Sequence, residues 1–336
     1  MTIKRSAYLT VALLVFSLFS GSLAQAQLTR LNVGYSALSG DQLPAWVAKD
    51  SGIFAKNGLD VQLIFFTGGS TAILALVSGD VPITQVSGPG LVSSALAGSD
   101  SVFVAAGMTS LNYVLMGKPG VKTVEQLKGG TLAISRFGSA TDSIARFALK
   151  RIGLTPGKDV TLVQVGSGPA RLDALQTGKV TAAVINPPSS FIAEKRGMAV
   201  VADVAQMGLV FQHTGAATTK KYIREHSDIV RRYVKSHIEA VHRMWTDREA
   251  GIKALAKYMG SGVDREILEK SRDNVMTEAF FSKKQYPSLE GLKTVIEDLA
   301  ERDPRAKSAK PEQFVDMSFI RELDQSGYID GLYKKK

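Results

Sequence analysis

The chain has 336 residues, 45% of them hydrophobic and 21% charged, with 41 Lys and Arg against 31 Asp and Glu and no cysteine. That length suits about two domains, and so ordinary a composition excludes a collagen, a long disordered chain and a polytopic membrane protein. Lacking cysteine, the protein has no disulfide, no thiolate metal site, no cysteine nucleophile and no lipid attached through an N-terminal cysteine. Lys4, Arg5, Lys334, Lys335 and Lys336 carry half of the net charge of +10, and no arginine-rich helix or basic-aromatic ladder accompanies the rest, so nucleic acid is not an expected partner.

Residues 1–26 read as an export signal. Lys4 and Arg5 precede an apolar run over 8–19, and Ala24-Gln25-Ala26 is the small-x-small pattern of a cleavage site. About 12 apolar residues span only about 18 Å as a helix, short of the roughly 30 Å of a bilayer core. Cleavage after Ala26 is therefore expected, with the mature chain starting at Gln27 in the periplasm.

Short apolar runs then alternate with helical patterns, as in an α/β chain with largely parallel strands. Residues 31–35 predict a strand, 43–50 a helix with Gly52 at its end, 61–66 a strand, 70–78 a helix closed by Gly79, and 83–86 a strand. The same grammar returns 99 residues later. Gly69, Ala75-Leu76, Ser78-Gly79, Val81, Val86 and Pro89 are matched by Gly168, Ala174-Leu175, Thr177-Gly178, Val180, Ile185 and Pro188. Upstream, Ser39, Ala48 and Gly52 find partners in Ser139, Ala148 and Gly153. Two similar lobes explain the repeat.

The last third reads as helical. Ser227 is a plausible N-cap for a helix whose apolar stripe is Val230, Tyr233, Val234, Ile238, Val241, Met244 and Trp245, too short for a coiled coil and suited to core packing. Further helices are predicted over 249–259, 264–274, 289–301 and 315–325.

No enzyme signature survives inspection. The chain has no Gly-x-Ser-x-Gly elbow and no phosphate loop. Gly166-Ser167-Gly168 begins like a dinucleotide fingerprint, but Arg171 stands where the third glycine belongs. His237 and His242 are five residues apart, about 140° around a helix, and cannot chelate one metal. What recurs instead is a small, glycine-rich, hydroxyl-bearing loop between a strand end and a helix start, where backbone can approach a ligand and free amides attract an anionic or polar group. Such loops lie over 36–41, 67–71 and 136–141, joined by the strand-end pairs Ser87-Gly88 and Asn186-Pro187. The expected ligand contacts are Ser36, Leu38, Ser39, Thr67, Gly69, Ser70, Thr71, Ser87 and Gly88 from the first lobe. From the second they are Phe137, covering an apolar part of the ligand, Gly138, Ser139, Ala140, Thr141, Asn186 and Pro187. Arg136 and Asp41 are the ionisable groups of these loops, each equally readable as surface or helix cap.

These residues carry a family resemblance. Gly34-Tyr35 and its loop, Gly52-Ile53-Phe54 through Gly58-Leu59-Asp60-Val61, Gly69-Ser70-Thr71, Ser78-Gly79-Asp80-Val81, residues 124–129 and Asn186-Pro187-Pro188 together resemble the periplasmic solute-binding proteins of ABC transporters. The nearest branch holds the nitrate, sulfonate and taurine binders and the thiamine-pyrimidine-precursor proteins. The resemblance implies a type II-like two-lobed α/β fold, each lobe a mixed sheet flanked by helices, with a helical C-terminal third packed on the first lobe. It implies residues 1–26 as signal, 27–116 and 209–336 as the first lobe, 117–208 as the second, and chain crossings near Gly117 and Gly208. A non-catalytic monomer is implied, without cofactor or metal, that captures a small anionic or aromatic solute by hinge closure and delivers it to an inner-membrane permease with its cytoplasmic ATPase. Two departures bear on the ligand: the cysteine-rich iron motif of the precursor synthases is missing, and Asn186-Pro187-Pro188-Ser189 lacks the aromatic and the acid of the sulfonate binders' loop. An enzyme of the same fold, a desulfinase or precursor synthase, and a periplasmic ligand sensor are the alternatives.

Overall fold

The computed structural model describes residues 27–260 and 262–334, so the expected signal segment 1–26 lies outside the described residues. Two five-stranded sheets organise the chain. In the first, β1 (Thr29–Tyr35) is flanked by parallel β2 (Leu59–Phe65) and β3 (Ile83–Ser87), and β10 (Thr214–Thr219) lies antiparallel between β3 and β4 (Ser101–Ala106). The second repeats this plan. There β6 (Thr131–Ile134) lies between parallel β7 (Thr161–Gln164) and β8 (Ala182–Ile185), and β5 (Val114–Gly117) is the antiparallel insertion between β8 and β9 (Val200–Asp203).

Each sheet is thus mixed, and each takes its antiparallel strand from beyond a crossing. The chain changes sheets over 107–113 and returns over 204–213. Gly208 falls in the return segment. Gly117 does not fall in the outward one, because β5 already pairs with β8 and β9, and a lobe boundary after residue 116 would cut through a hydrogen-bonded strand.

The helices between the strands are α1 (Leu43–Asp50), α2 (Ile53–Lys56), α3 (Gly69–Ser78), α4 (Gly88–Leu96), α5 (Ala140–Arg151), α6 (Gly168–Gln176) and α7 (Ser189–Lys195), and of these α1 and α3 match the predicted helices 43–50 and 70–78. Gly52 and Gly79 adopt left-handed φ of 69° and 87°, the conformation that stops a helix without a Cβ penalty. The long helix α8 (Lys220–Thr246) begins seven residues before Ser227, capped by the Thr219 hydroxyl accepting from the Tyr222 amide at 3.0 Å. Its backbone leaves helical geometry at His226, so the regular stretch does start at Ser227. Val230, Tyr233, Val234, Ile238 and Met244 share one core with Leu31, Val33, Trp46 and Leu59, which seats the C-terminal third on the first sheet.

The last helices are α9 (Arg248–Met259), α10 (Arg265–Val275), α11 (Leu289–Ala300), α12 (Ser318–Gln325) and α13 (Tyr328–Tyr333). The start of α12 corrects the expectation of residue 315. Val315 forms a parallel bridge with Phe103, and the Asp316 amide donates to the Phe103 carbonyl at 2.8 Å, so backbone pairing with β4 holds this stretch extended. A second apolar cluster, with Val86 and Leu91 beside Leu115, Leu132 and Ile144, runs through both sheets' surroundings, and a third backs the second sheet with Leu172, Leu175 and Ile185.

Candidate ligand-binding site

A narrow cavity of about 40 Å³ lies between the two sheets, where the carboxyl ends of their parallel strands face each other. Open α/β sheets present their ligand crevices at this edge. Its walls come in pairs related by the sequence repeat. Ser36 and Ser135 follow β1 and β6, Ser39 and Ser139 precede the next helices, and Gly69 and Gly168 open α3 and α6. Ser87 and Asn186 end β3 and β8, while Tyr113 and His213 stand in the two crossing segments.

Of the expected contacts, the structure brings Ser36, Leu38, Ser39, Gly69, Ser87, Ser139, Ala140, Thr141 and Asn186 to the cavity. It does not bring the others. Phe137 is 47% exposed and its ring covers nothing in the cavity, so the aromatic lid expected there is absent; its amide donates to Gln164 Oε1 at 2.9 Å. Gly138 has φ +74° and open space where a Cβ would stand, and it does not line the cavity. Thr71 bends its hydroxyl back to the carbonyls of Thr67 and Gly68, both at 2.8 Å, as a first-turn residue does. Ser70 lies beside it, outside the cavity. Gly88 is pressed against the return segment, where a Cβ would stand 2.2 Å from the Gln212 carbonyl, and neither it nor Pro187 lines the cavity.

Thr67 marks the seam between the lobes. A Cβ on Gly166 would stand 3.3 Å from Thr67 Cγ2, and one on Gly68 3.1 Å from Arg136 Cγ. The loops of the two sheets therefore touch at the mouth of the cavity, with Arg136 outside on the rim.

On the second-sheet side, three hydroxyls form a buried cluster: Ser135 Oγ lies 2.8 Å from both Ser139 Oγ and Thr141 Oγ1, which are 3.0 Å apart. They stand at the amino end of α5. The amino ends of α3 and α6 also open on the cavity, so three sets of helix-start amides converge on one space.

Charge is distributed asymmetrically on this frame. Arg171, in the second turn of α6, is only 3% exposed. Its Nε donates to the Val184 carbonyl at 2.8 Å and Nη1 to the Gly166 carbonyl, which fixes the guanidinium, but neither partner carries charge. Burial pulls its pKa down to about 10, with Tyr113 and Asp41 raising it in part, so it remains a cation at neutral pH. Asp41, 2% exposed, faces the cavity from the first sheet. Its Oδ1 accepts from Ser39 Oγ, its Oδ2 from Gln42 Nε2 at 3.1 Å, and His213 Nε2 is 3.4 Å from Oδ2. Burial pushes the Asp41 pKa up, but the neighbouring His213 ring and the hydrogen bonds from Ser39 and Gln42 together outweigh it, leaving the carboxyl below its ordinary value and ionised. Four polar atoms on the wall are buried without a hydrogen-bond partner: Ser87 Oγ, Asn186 Nδ2 and both ring nitrogens of His213. Such groups destabilise the folded chain by about 1–3 kcal/mol each unless something pairs with them.

Reading the sequence missed Arg171, Tyr113, Ser135, Ser167, His213 and Thr214 as wall residues. The repeat held a usable signal for some of them, since Gly69 as a contact implies Gly168 and its neighbours, and Ser36 implies Ser135. For Arg171 and His213 no local pattern exists.

The comparisons agree with this architecture. The taurine-binding periplasmic protein of Escherichia coli is 30% identical to this chain over 250 residues, 70% of this chain and 75% of the relative. The periplasmic nitrate-binding protein of Synechocystis superposes with a TM-score of 0.72 at 13% identity, covering 92% of each chain. The periplasmic aliphatic sulphonate-binding protein of Escherichia coli superposes with a TM-score of 0.66 at 19% identity, covering 86% of this chain and 92% of its own. These two likenesses show the periplasmic binding protein fold. The profile of the NMT1-like family matches residues 24–260, most of the chain, and with that match the protein belongs to the NMT1-like family.

Proposed function

We propose that this protein is the periplasmic solute-binding component of an ABC importer, closing its two lobes on a small organic anion and presenting the closed form to an inner-membrane permease with its cytoplasmic ATPase. The observation that carries the reading is Arg171: a buried cation on a cavity wall, with two carbonyls for partners and no carboxylate within ion-pair distance among the described residues. An isolated buried charge is costly, and an anion of the solute would complete it. The three helix starts around it favour the same sign of charge. The relatives named above are binding proteins for taurine, nitrate and sulphonates, which supports a binding role here over catalysis.

Residues 27–106 and 214–334 would form the first lobe and 114–203 the second, moving about the segments 107–113 and 204–213. Closure would follow from the solute binding the closed form more tightly, since it then touches walls from both lobes. A thermal-shift screen of the mature protein against carboxylic and sulfonic acids, followed by titration of the hits, tests this. A hit at 100 times its dissociation constant adds about 2.7 kcal/mol of stability. Small-angle scattering should show compaction on adding it, and Arg171→Gln should weaken binding by about 10- to 150-fold. A tight ligand that is indifferent to Arg171→Gln sinks the reading.

A further inference from the structure

Two helices of the first lobe run from a chain crossing to the second lobe. At the far end of α10, Asn274 Oδ1 accepts from Asn112 Nδ2 of the outward crossing at 2.9 Å. At its start, Asp264 Oδ2 meets Nζ of Lys195, the last residue of α7, at 2.5 Å. The helix α11 repeats this plan in reverse. Gly291 near its start lies so close to the return crossing that a Cβ would stand 2.4 Å from the Gln212 amide nitrogen, while Glu301 at its end pairs with Lys150 in the last turn of α5. Each helix therefore has one end on a crossing and the other, about 15 Å away at 1.5 Å per residue, on a lysine of the opposite lobe.

The two contacts flank the second sheet. Ile144 and Ala148 of α5 pack with Leu132 and Ile134, whereas Ala193 of α7 packs with Ala133 and Ile185, and successive residues of a strand point to opposite faces. Neighbouring groups reinforce each seam. Arg302 Nη2 donates to Ser143 Oγ at 2.9 Å beside α5, and beside α7 Lys270 Nζ lies 4.0 Å from the Phe191 ring centroid and 3.9 Å from Glu194 Oε2. Among the described residues, the second lobe keeps the pair Arg146–Asp142 to itself and makes its other ion pairs with the first lobe. None of these residues lines the cavity.

From this arrangement we infer that Lys150–Glu301 and Lys195–Asp264 are paired clasps that hold the lobes together before solute arrives, so that ionic strength sets the balance between open and closed forms. The inference rests on the two-lobe closure proposed above and adds what resists opening. Rotation about the crossings hardly moves Asn274 and Gly291, but it carries Asp264 and Glu301 away from their lysines. All four clasp side chains are 47–58% exposed, so salt screens them, and each pair shifts the closed-to-open ratio by about 1.4- to 5-fold. Lying on separate faces, the two multiply to about 2- to 25-fold. Apparent affinity scales with the closed fraction, so the clasps tune capture from outside the site.

Pulsed electron spin resonance on the full mature chain without solute tests the inference. The chain has no cysteine, so spin labels on Leu74→Cys in α3 and Asp173→Cys in α6, both exposed, report a single distance between the lobes. The ratio of short to long distances should fall by about 2- to 25-fold from about 0.01 M to about 1 M salt. Lys150→Glu with Lys195→Glu should open the protein at least as far already at low salt, and adding Glu301→Lys should recover part of the loss. Two distances in a ratio indifferent to salt and to charge reversal overturn the clasps and leave closure standing, as does a single long distance throughout. A single short distance in the reversal variant at high salt overturns both, because the lobes then do not part. The salt series on the labelled chain stands by itself should the reversal variant fold poorly.

Discussion

His213 Nε2 stands 3.4 Å from Asp41 Oδ2, and both side chains are almost wholly shielded from solvent although they belong to segments 172 positions apart. Asp41 comes from the loop after β1 and His213 from the return crossing, so the pair exists only when β10 has been inserted between β3 and β4. Integrity of the first sheet and the electrostatics of the cavity are thereby coupled.

Stability should fall with acid in two stages. Burial holds the His237 pKa below its usual value, against the raising effect of its hydrogen bonds to Gln285 and the Ala106 backbone. The unfolded chain then binds the proton more readily, so this stability is complete above the unfolded value of about 6.5 and is lost as pH falls below it, by up to about 1.4 kcal/mol per pH unit. His242, lowered by burial, acts in the same direction. Asp41 is depressed in the fold, so its contribution is present above the unfolded value of about 3.9 and is lost as pH falls through the folded value. Melting temperature measured from pH 8 to pH 3 should show both stages. His237→Gln should flatten the first, and an unchanged slope between pH 6.5 and pH 5 would contradict the assignment.

Ser139 and Gly138 are adjacent and should respond in opposite ways. Ser139 Oγ belongs to the hydroxyl cluster on the cavity wall and makes no capping bond to its helix, so Ser139→Ala should cost about 1 kcal/mol of stability and also weaken the ligand. Gly138→Ala puts a Cβ at φ +74°, which should cost about 1–2 kcal/mol and leave affinity unchanged, since that Cβ would enter open space. Thr71→Ala should resemble Gly138→Ala, because its hydroxyl serves the first turn of α3. Chemical denaturation and calorimetric titration of the three variants check this, and an affinity loss in Gly138→Ala with none in Ser139→Ala would move the site.

Export should leave a mature chain that begins at Gln27, because Ala24-Gln25-Ala26 ends the apolar run and the chain has no cysteine to lipidate. Intact mass of the protein recovered from the periplasm measures this directly. A species retaining residues 1–26 would refute it.

The sequence by itself determined the framework. Short apolar runs, glycine stops and the 99-residue repeat are local patterns, and they set β1, β2, β3 and their counterparts, the helices between them, and the paired loops that hold Ser39 and Ser139, Gly69 and Gly168. The stripe of α8 likewise announced a buried face, since helical periodicity reports burial. The tertiary structure decided what no period carries. Val315 reads as a helix start until Phe103 takes up its backbone. Phe137 reads as a ligand cover until the loop turns it outward. Arg171 reads in the sequence only as the residue standing where a third glycine belongs, and becomes a buried cation because β8 supplies the Val184 carbonyl and the crossings bring Tyr113 and His213 across from it. Burial of a single charge depends on which distant segments pack over it, and that sum of long-range contacts leaves no mark in neighbouring residues.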